Sequence, residues 1–182
     1  MRLRLALAGL AVVLAAETPL ATGLDGQPVD PFAGEARAVV LIFVRSDCPI
    51  SNRYAPEIRR IAAKFGGRGA RFWLVYPDSQ ARAEDIQRHI AEYRLPGGVL
   101  RDPRRVLVKL ARAEVTSEAA VFAPGERLVY HGRIDDRYID FGRTRPAATT
   151  HDLEAAVAAT LDGRRVVVPA TPAVGCFLSD VR

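Results

Sequence analysis

The sequence predicts an α/β domain of three layers, with helices flanking a mixed central sheet. Three features carry that expectation. Residues 38–44 form a continuous apolar run rich in β-branched side chains, the pattern of a strand buried on both faces. Strand-like and helix-like segments then alternate along the chain. A hairpin signal followed by a closing amphipathic helix completes the series.

The elements follow in order. Residues 19–36 are rich in turn formers, and Asp25-Gly26 lies between short apolar stretches, as the turn of a small hairpin does. After the first buried strand comes a polar loop, Arg45-Ser46-Asp47-Cys48. Pro49 suits the first turn of a helix, where its missing N–H costs nothing. Ile50, Tyr54, Ile58, Ile61 and Phe65 continue that helix at helical spacing until Gly66-Gly67 stops it. Residues 70–76 read as a second strand, 83–93 as a helix, 98–100 as a short strand and 103–113 as a short helix. Residues 119–122 and 127–131 flank Pro124-Gly125 as an antiparallel hairpin. The stretch 133–150 is polar and is expected to be irregular. Leu153, Val157 and Leu161 then mark the last helix.

The N-terminus has the pattern of an export signal. Arg2 and Arg4 precede twelve small or aliphatic residues, 5–16, and Glu17-Thr18-Pro19 follows. Twelve helical residues span about 18 Å, short of the roughly 30 Å hydrocarbon core, so no stable membrane span is expected. Removing residues 1–16 lowers the formal charge from +5 to +3. The paired arginines are scattered and make no nucleic-acid-binding face. Two cysteines exclude a disulfide-dense miniprotein and a four-thiolate zinc site. An exported chain, periplasmic or extracellular, does permit disulfides, which makes both thiols candidates for chemistry.

Cys48 is the most informative position. It sits between a buried strand and a helix start, where unpaired N–H groups and the helix dipole favour thiolate. Such settings lower a cysteine pKa from about 8.5 to roughly 3.5–7.5. Asp47 beside it opposes that effect. The expectation is an exposed, readily ionised sulfur.

The strand–loop–Cys-Pro-Ile-Ser–helix unit, the hairpin and the closing helix resemble the thioredoxin-like fold, in its exported redoxin branch of AhpC/TSA and TlpA-like proteins. Asp47-Cys48-Pro49-Ile50-Ser51-Asn52, residues 54–57, residues 132–138 and Thr171-Pro172-Ala173-Val174-Gly175-Cys176 carry the narrower similarity. The resemblance implies a division into a signal peptide (1–16), a redoxin domain (17–162) and a C-terminal tail (163–182) that holds Cys176. It also implies thiol–disulfide chemistry on a protein or small-molecule partner, without an organic cofactor.

The departures from the family pattern matter as well. Ser51 stands where thioredoxin-type reductants carry their second cysteine; a hydroxyl cannot resolve a mixed disulfide, although it can hydrogen-bond a thiolate. Leu41 and Arg45 replace the Pro and Thr that peroxiredoxins place before their reactive cysteine, which counts against a thiol peroxidase. Ser117 occupies the usual cis-proline position, and a trans Thr116–Ser117 bond is expected there.

Cys176 lies in an irregular tail, and its role stays open at this stage: a resolving thiol for Cys48, a static disulfide, an intermolecular thiol or a metal ligand. The two sulfurs with His89, His131 or His151 would suit Cu(I), which gives the competing reading of a non-catalytic metal- or protein-binding module. Asp135-Asp136-Arg137 reads as a solvated charged loop, with Arg133 or Arg137 pairing the acids. The leading expectation is an oxidoreductase with Cys48 as nucleophile, Cys176 as resolving partner and Ser51 supporting the thiolate. Substrate, electron donor and oligomeric state are not encoded in any motif.

Overall fold

The computed structural model describes residues 20–178; the expected signal peptide lies outside them. Its main sheet has seven strands: β1 (Ala21–Thr22), β2 (Pro28–Val29), β3 (Ala38–Phe43), β4 (Ala70–Tyr76), β5 (Gly98–Arg101), β6 (Ala119–Ala123) and β7 (Arg127–Gly132). They are ordered β2-β1-β5-β4-β3-β6-β7. β3, β4 and β5 run parallel, whereas β6, β7 and β1 join antiparallel. A mixed three-layer α/β sheet is therefore what the apolar run and the alternation encode.

Every residue of β3 is buried, and its alternate side chains feed two cores. Val40 and Ile42 face the side packed by α2 (Ala55–Phe65), α3 (Ala83–Tyr93) and α5 (Asp152–Leu161), through Ile58, Ile61, Phe65, Ile86, Leu153 and Val157. Val39, Leu41 and Phe43 face α4 (Val106–Ala111), through Leu107, Val108 and Ala111, and Leu178 of the tail joins that second core. Full burial of such aliphatic and aromatic side chains stabilises by about 1.5–3 kcal/mol each. Cys48 belongs to the first core and the tail end to the second, so the tail crosses the end of the sheet close to Cys48.

Three expectations change on inspection of the structure. The helix after Cys48 is two pieces, α1 (Pro49–Arg53) and α2, joined at Tyr54, because Pro56 has no N–H to continue the ladder. The helix expected over 103–113 contracts to α4, since Arg105 (φ 56°) and Arg112 (φ 57°) are both left-handed and bracket it. The carboxylate of buried Asp102 caps its start, accepting from the Val106 and Val108 amides at 2.7 and 3.0 Å.

The third change concerns 133–150. This segment contains a second small sheet, β8 (Tyr138–Asp140) with β9 (Arg143–Thr144), and its acids are not solvated. Asp135 and Asp136 are buried. Tyr54 donates to Asp135 Oδ1 at 2.9 Å, and Asp136 accepts from the Thr149 and Thr150 amides while pairing with Arg145. Arg133 pairs with Asp152 instead. Those bonds fix the loop against α1 and α5, a structural role the adjacent charges did not advertise. Among the described residues no helix is long and apolar enough to cross a membrane.

Candidate active site

β3 ends at Phe43, and the loop after it delivers Cys48 to the N-cap of α1, with φ −92° and ψ 110°. The Cys48 carbonyl accepts from the Asn52 N–H at 3.0 Å, closing the first helical turn. On the neighbouring side, the β3–β6 ladder continues beyond the strands: Ser117 N–H donates to Phe43 O at 2.7 Å, and Phe43 N–H to Glu118 O at 2.9 Å. This places Thr116 opposite Cys48. No cis peptide bond occurs among the described residues, and Ser117, at the position where the resemblance implies a cis-proline, takes a left-handed φ of 66°.

The sulfur of Cys48 has two side-chain hydrogen-bond partners. Thr116 Oγ1 lies 2.9 Å away, and Cys176 Sγ 2.7 Å away with both cysteines free thiols. The separation of 128 positions in sequence thus closes to contact. Contrary to the expectation of exposure, Cys48 is completely buried, covered by the tail that brings Cys176. Burial here is not burial in hydrocarbon alone, because hydrogen-bond donors converge on the atom.

Those donors separate the two thiols electrostatically. Desolvation pushes the Cys48 thiol up, but hydrogen bonds from the Cys176 and Thr116 side chains and from the Ser51 and Cys176 amides outweigh it, and its pKa is lowered. Cys176 is pushed up to about 11, first by burial and then by donating to Cys48 and facing its charge. The Cys48 sulfur is thus the more readily ionised of the two, and Cys176 is its donor. Thr116 Oγ1 accepts from the Cys176 N–H at 3.0 Å, which frees the Thr116 proton for the Cys48 sulfur.

Ser51 meets the sulfur through its main chain. Its hydroxyl is buried without a hydrogen-bond partner, and it is the Ser51 backbone amide that turns to the sulfur. The helix start points main-chain N–H groups at Cys48, so the side chain is not needed there. Thr116 contacts the sulfur although no motif marks it as a site residue; the available signal is its place immediately before Ser117, where the resemblance implies a cis-proline. Arg45 forms a two-bond pair with Asp47 at 3.0 and 2.7 Å, which offsets the acid beside Cys48. The Arg45 charge also acts on Cys176, favouring its ionised form.

The loop is held from behind by a chain of polar contacts. Asn52 Nδ2 donates to Ser46 O at 3.0 Å, so its Oδ1 accepts from His89 Nε2 at 2.8 Å, and His89 Nδ1 then accepts from the Tyr76 hydroxyl at 2.8 Å. His89 is buried, and desolvation holds its pKa below the ordinary 6.5 despite Glu92. The folded protein therefore binds fewer protons here than the unfolded chain, and this stability is lost as pH falls through 6.5. Urea unfolding of wild type between pH about 7 and 5 should show a decline with acid that His89→Gln lacks. Parallel pH slopes for the two proteins would remove His89 from that role.

The donor set for a two-sulfur, one-histidine copper site is not assembled among the described residues. His89 is occupied as described, and exposed His151 groups with buried Glu57 and half-buried Glu154, where Arg60 and Lys64 already pair the acids. His131 is half-buried on β7, next to the tail, with Nδ1 unpartnered.

Comparison with known proteins agrees with this architecture. A hypothetical protein from Sinorhizobium meliloti 1021 is 25% identical, with a TM-score of 0.73 over 87% of this chain and 88% of its own. An uncharacterized conserved protein from Geobacillus kaustophilus is 24% identical, with a TM-score of 0.74 over 87% and 86%. A secreted Mycobacterium tuberculosis disulfide oxidoreductase homologous to E. coli DsbE shares the fold at 23% identity, with a TM-score of 0.55 over 76% and 93%. No curated protein matches the chain. The AhpC/TSA family matches residues 15–127, a span that includes Cys48 and Thr116 and more than half the sequence, and the chain belongs to that family.

Proposed function

We propose that this redoxin is an exported thiol–disulfide oxidoreductase in which Cys48 is the nucleophile and Cys176 the resolving thiol. The observation that carries the reading is the unequal pair itself, two sulfurs 2.7 Å apart with the Cys48 pKa lowered and that of Cys176 raised. The fold it shares with a secreted disulfide oxidoreductase is compatible with such chemistry, and the basic, apolar N-terminal segment supports export.

In the reducing direction, the Cys48 thiolate attacks one sulfur of a substrate disulfide and expels the other as thiolate. Cys176 then loses its proton and its sulfur displaces the bound half from Cys48. Two enzyme thiols become one disulfide, and the substrate disulfide becomes two thiols after protonation. Attack falls on the Cys48 sulfur because Cys176 is held in contact with it, and the substrate half leaves as thiolate.

The test is reaction of the reduced protein with glutathione disulfide, followed by alkylation and mass spectrometry. Wild type should end with a Cys48–Cys176 disulfide and two equivalents of glutathione. A protein that retains both free thiols, or that carries glutathione on Cys176, would contradict the assignment.

A further inference from the structure

The tail is held by the main chain in the manner of a strand added to an edge. Thr116 N–H donates to Cys176 O at 2.9 Å, Leu178 N–H donates to Glu114 O at 2.9 Å, and Val115 bridges Phe177 antiparallel. Upstream, His131 N–H donates to Pro169 O and Thr171 N–H to His131 O, at 3.0 and 3.2 Å. Between α5 and these contacts, residues 163–168 are mostly exposed, with Val167 at 90%. The tail is thus an extended, cysteine-bearing segment on an exposed linker, and through Cys176 it lies directly against the buried Cys48 sulfur.

We propose that the 114–116 edge is the docking site for an extended cysteine-containing polypeptide, and that residues 170–178 are an internal occupant which must lift for it to bind. This inference rests on the reading of Cys48 as redox nucleophile. The Glu114 carbonyl and the Thr116 N–H present to any incoming chain the same bonds they make with the tail. A cysteine that pairs with Thr116 as Cys176 does stands directly over Cys48.

The residue before that cysteine is restricted. Gly175 lies so close to the Thr116 carbonyl that a Cβ there would run into its oxygen. The edge therefore selects glycine immediately before the cysteine, and rejects larger residues by collision with main chain. The same competition explains how a product would leave. Once a peptide is linked to Cys48, the returning tail reclaims the Thr116 bonds, brings Cys176 to the mixed disulfide, and releases the peptide thiol as the Cys48–Cys176 bond forms.

The test uses the full chain in two arms. In a Cys176→Ser background, iodoacetamide labelling of Cys48 at fixed pH should be at least about tenfold faster when Gly175→Ala is added, because the extra methyl unseats the tail. Equal rates would overturn the cover. The rates are compared at the high-pH plateau, where Cys48 is fully ionised in both variants and the ratio reports access alone, so an ordinary thiol at Cys48 would defeat the oxidoreductase while leaving the cover supported. Amide exchange on the unmodified chain provides a check free of substitutions: the Cys176 and Leu178 amides should exchange together and faster than those of β3. Exchange as slow as β3 would also overturn it. In the second arm, wild type should reduce disulfides of a model peptide with Gly before Cys at least about tenfold faster than those with Ala there. Equal rates, or preference for Ala, would overturn the docking site.

Discussion

Cys176→Ser is expected to halt the reaction halfway. With glutathione disulfide the variant should accumulate glutathione on Cys48 as a stable mixed disulfide, whereas wild type passes through that species. Catalytic turnover should fall by roughly a hundredfold or more, because a thiol held beside the target has an effective concentration that free thiols do not match. Serine preserves a hydroxyl donor to Cys48, so the first step should proceed at close to the wild-type rate. Mass spectrometry of the quenched reaction distinguishes the two steps. Continued turnover without the mixed disulfide would show that Cys176 does not resolve it.

Thr116→Val is expected to raise the Cys48 pKa. Valine keeps the shape but loses the hydroxyl that lies 2.9 Å from the sulfur and accepts the Cys176 N–H. A hydrogen bond to a charged group contributes about 1.5–3 kcal/mol, equivalent to roughly one to two pKa units. Below both pKa values, the thiolate fraction, and with it the alkylation rate of Cys48, should fall about tenfold for each unit. The rate–pH profile measured in a Cys176→Ser background reads this shift directly. Thr116→Ser should restore most of it; an unchanged profile in Thr116→Val would take the hydroxyl out of the thiolate's support.

Much of the fold could be read from periodicity and punctuation. The apolar run at 38–44, the strand at 70–76, the helix at 83–93 and the Pro124-Gly125 hairpin each declare themselves within their own segment, and β3, β4, α3, β6 and β7 follow. What local pattern misses depends on partners far along the chain. Asp135 and Asp136 look solvent-facing by residue type, yet in the interior Tyr54 bonds one oxygen of Asp135 and the Thr149–Thr150 amides bond Asp136. The small β8–β9 sheet shares that segment and has no apolar alternation to announce it.

The candidate site was legible in the same uneven way. Cys48 is marked by its place between a buried strand and Pro49, a local feature. Cys176 stood out as a second thiol within a stretch that carries the family similarity, but an irregular tail does not specify where it returns. Its contact with Cys48 arises from tertiary pairing with Thr116 and from Leu178 entering the second core. Ser51 drew attention as a hydroxyl in the motif, while the group that reaches the sulfur is its amide, which every residue at that position possesses.

The measurement that bears most directly on the account is an ultraviolet thiolate titration of the reduced full chain, repeated on Cys176→Ser. The account predicts two separated steps for the pair, one below the ordinary value of 9.0 and one near 11, with the upper step missing in the variant. Two sulfurs that titrate together near 9.0 in the reduced chain, with the single thiol of the variant titrating at that same value, would contradict it.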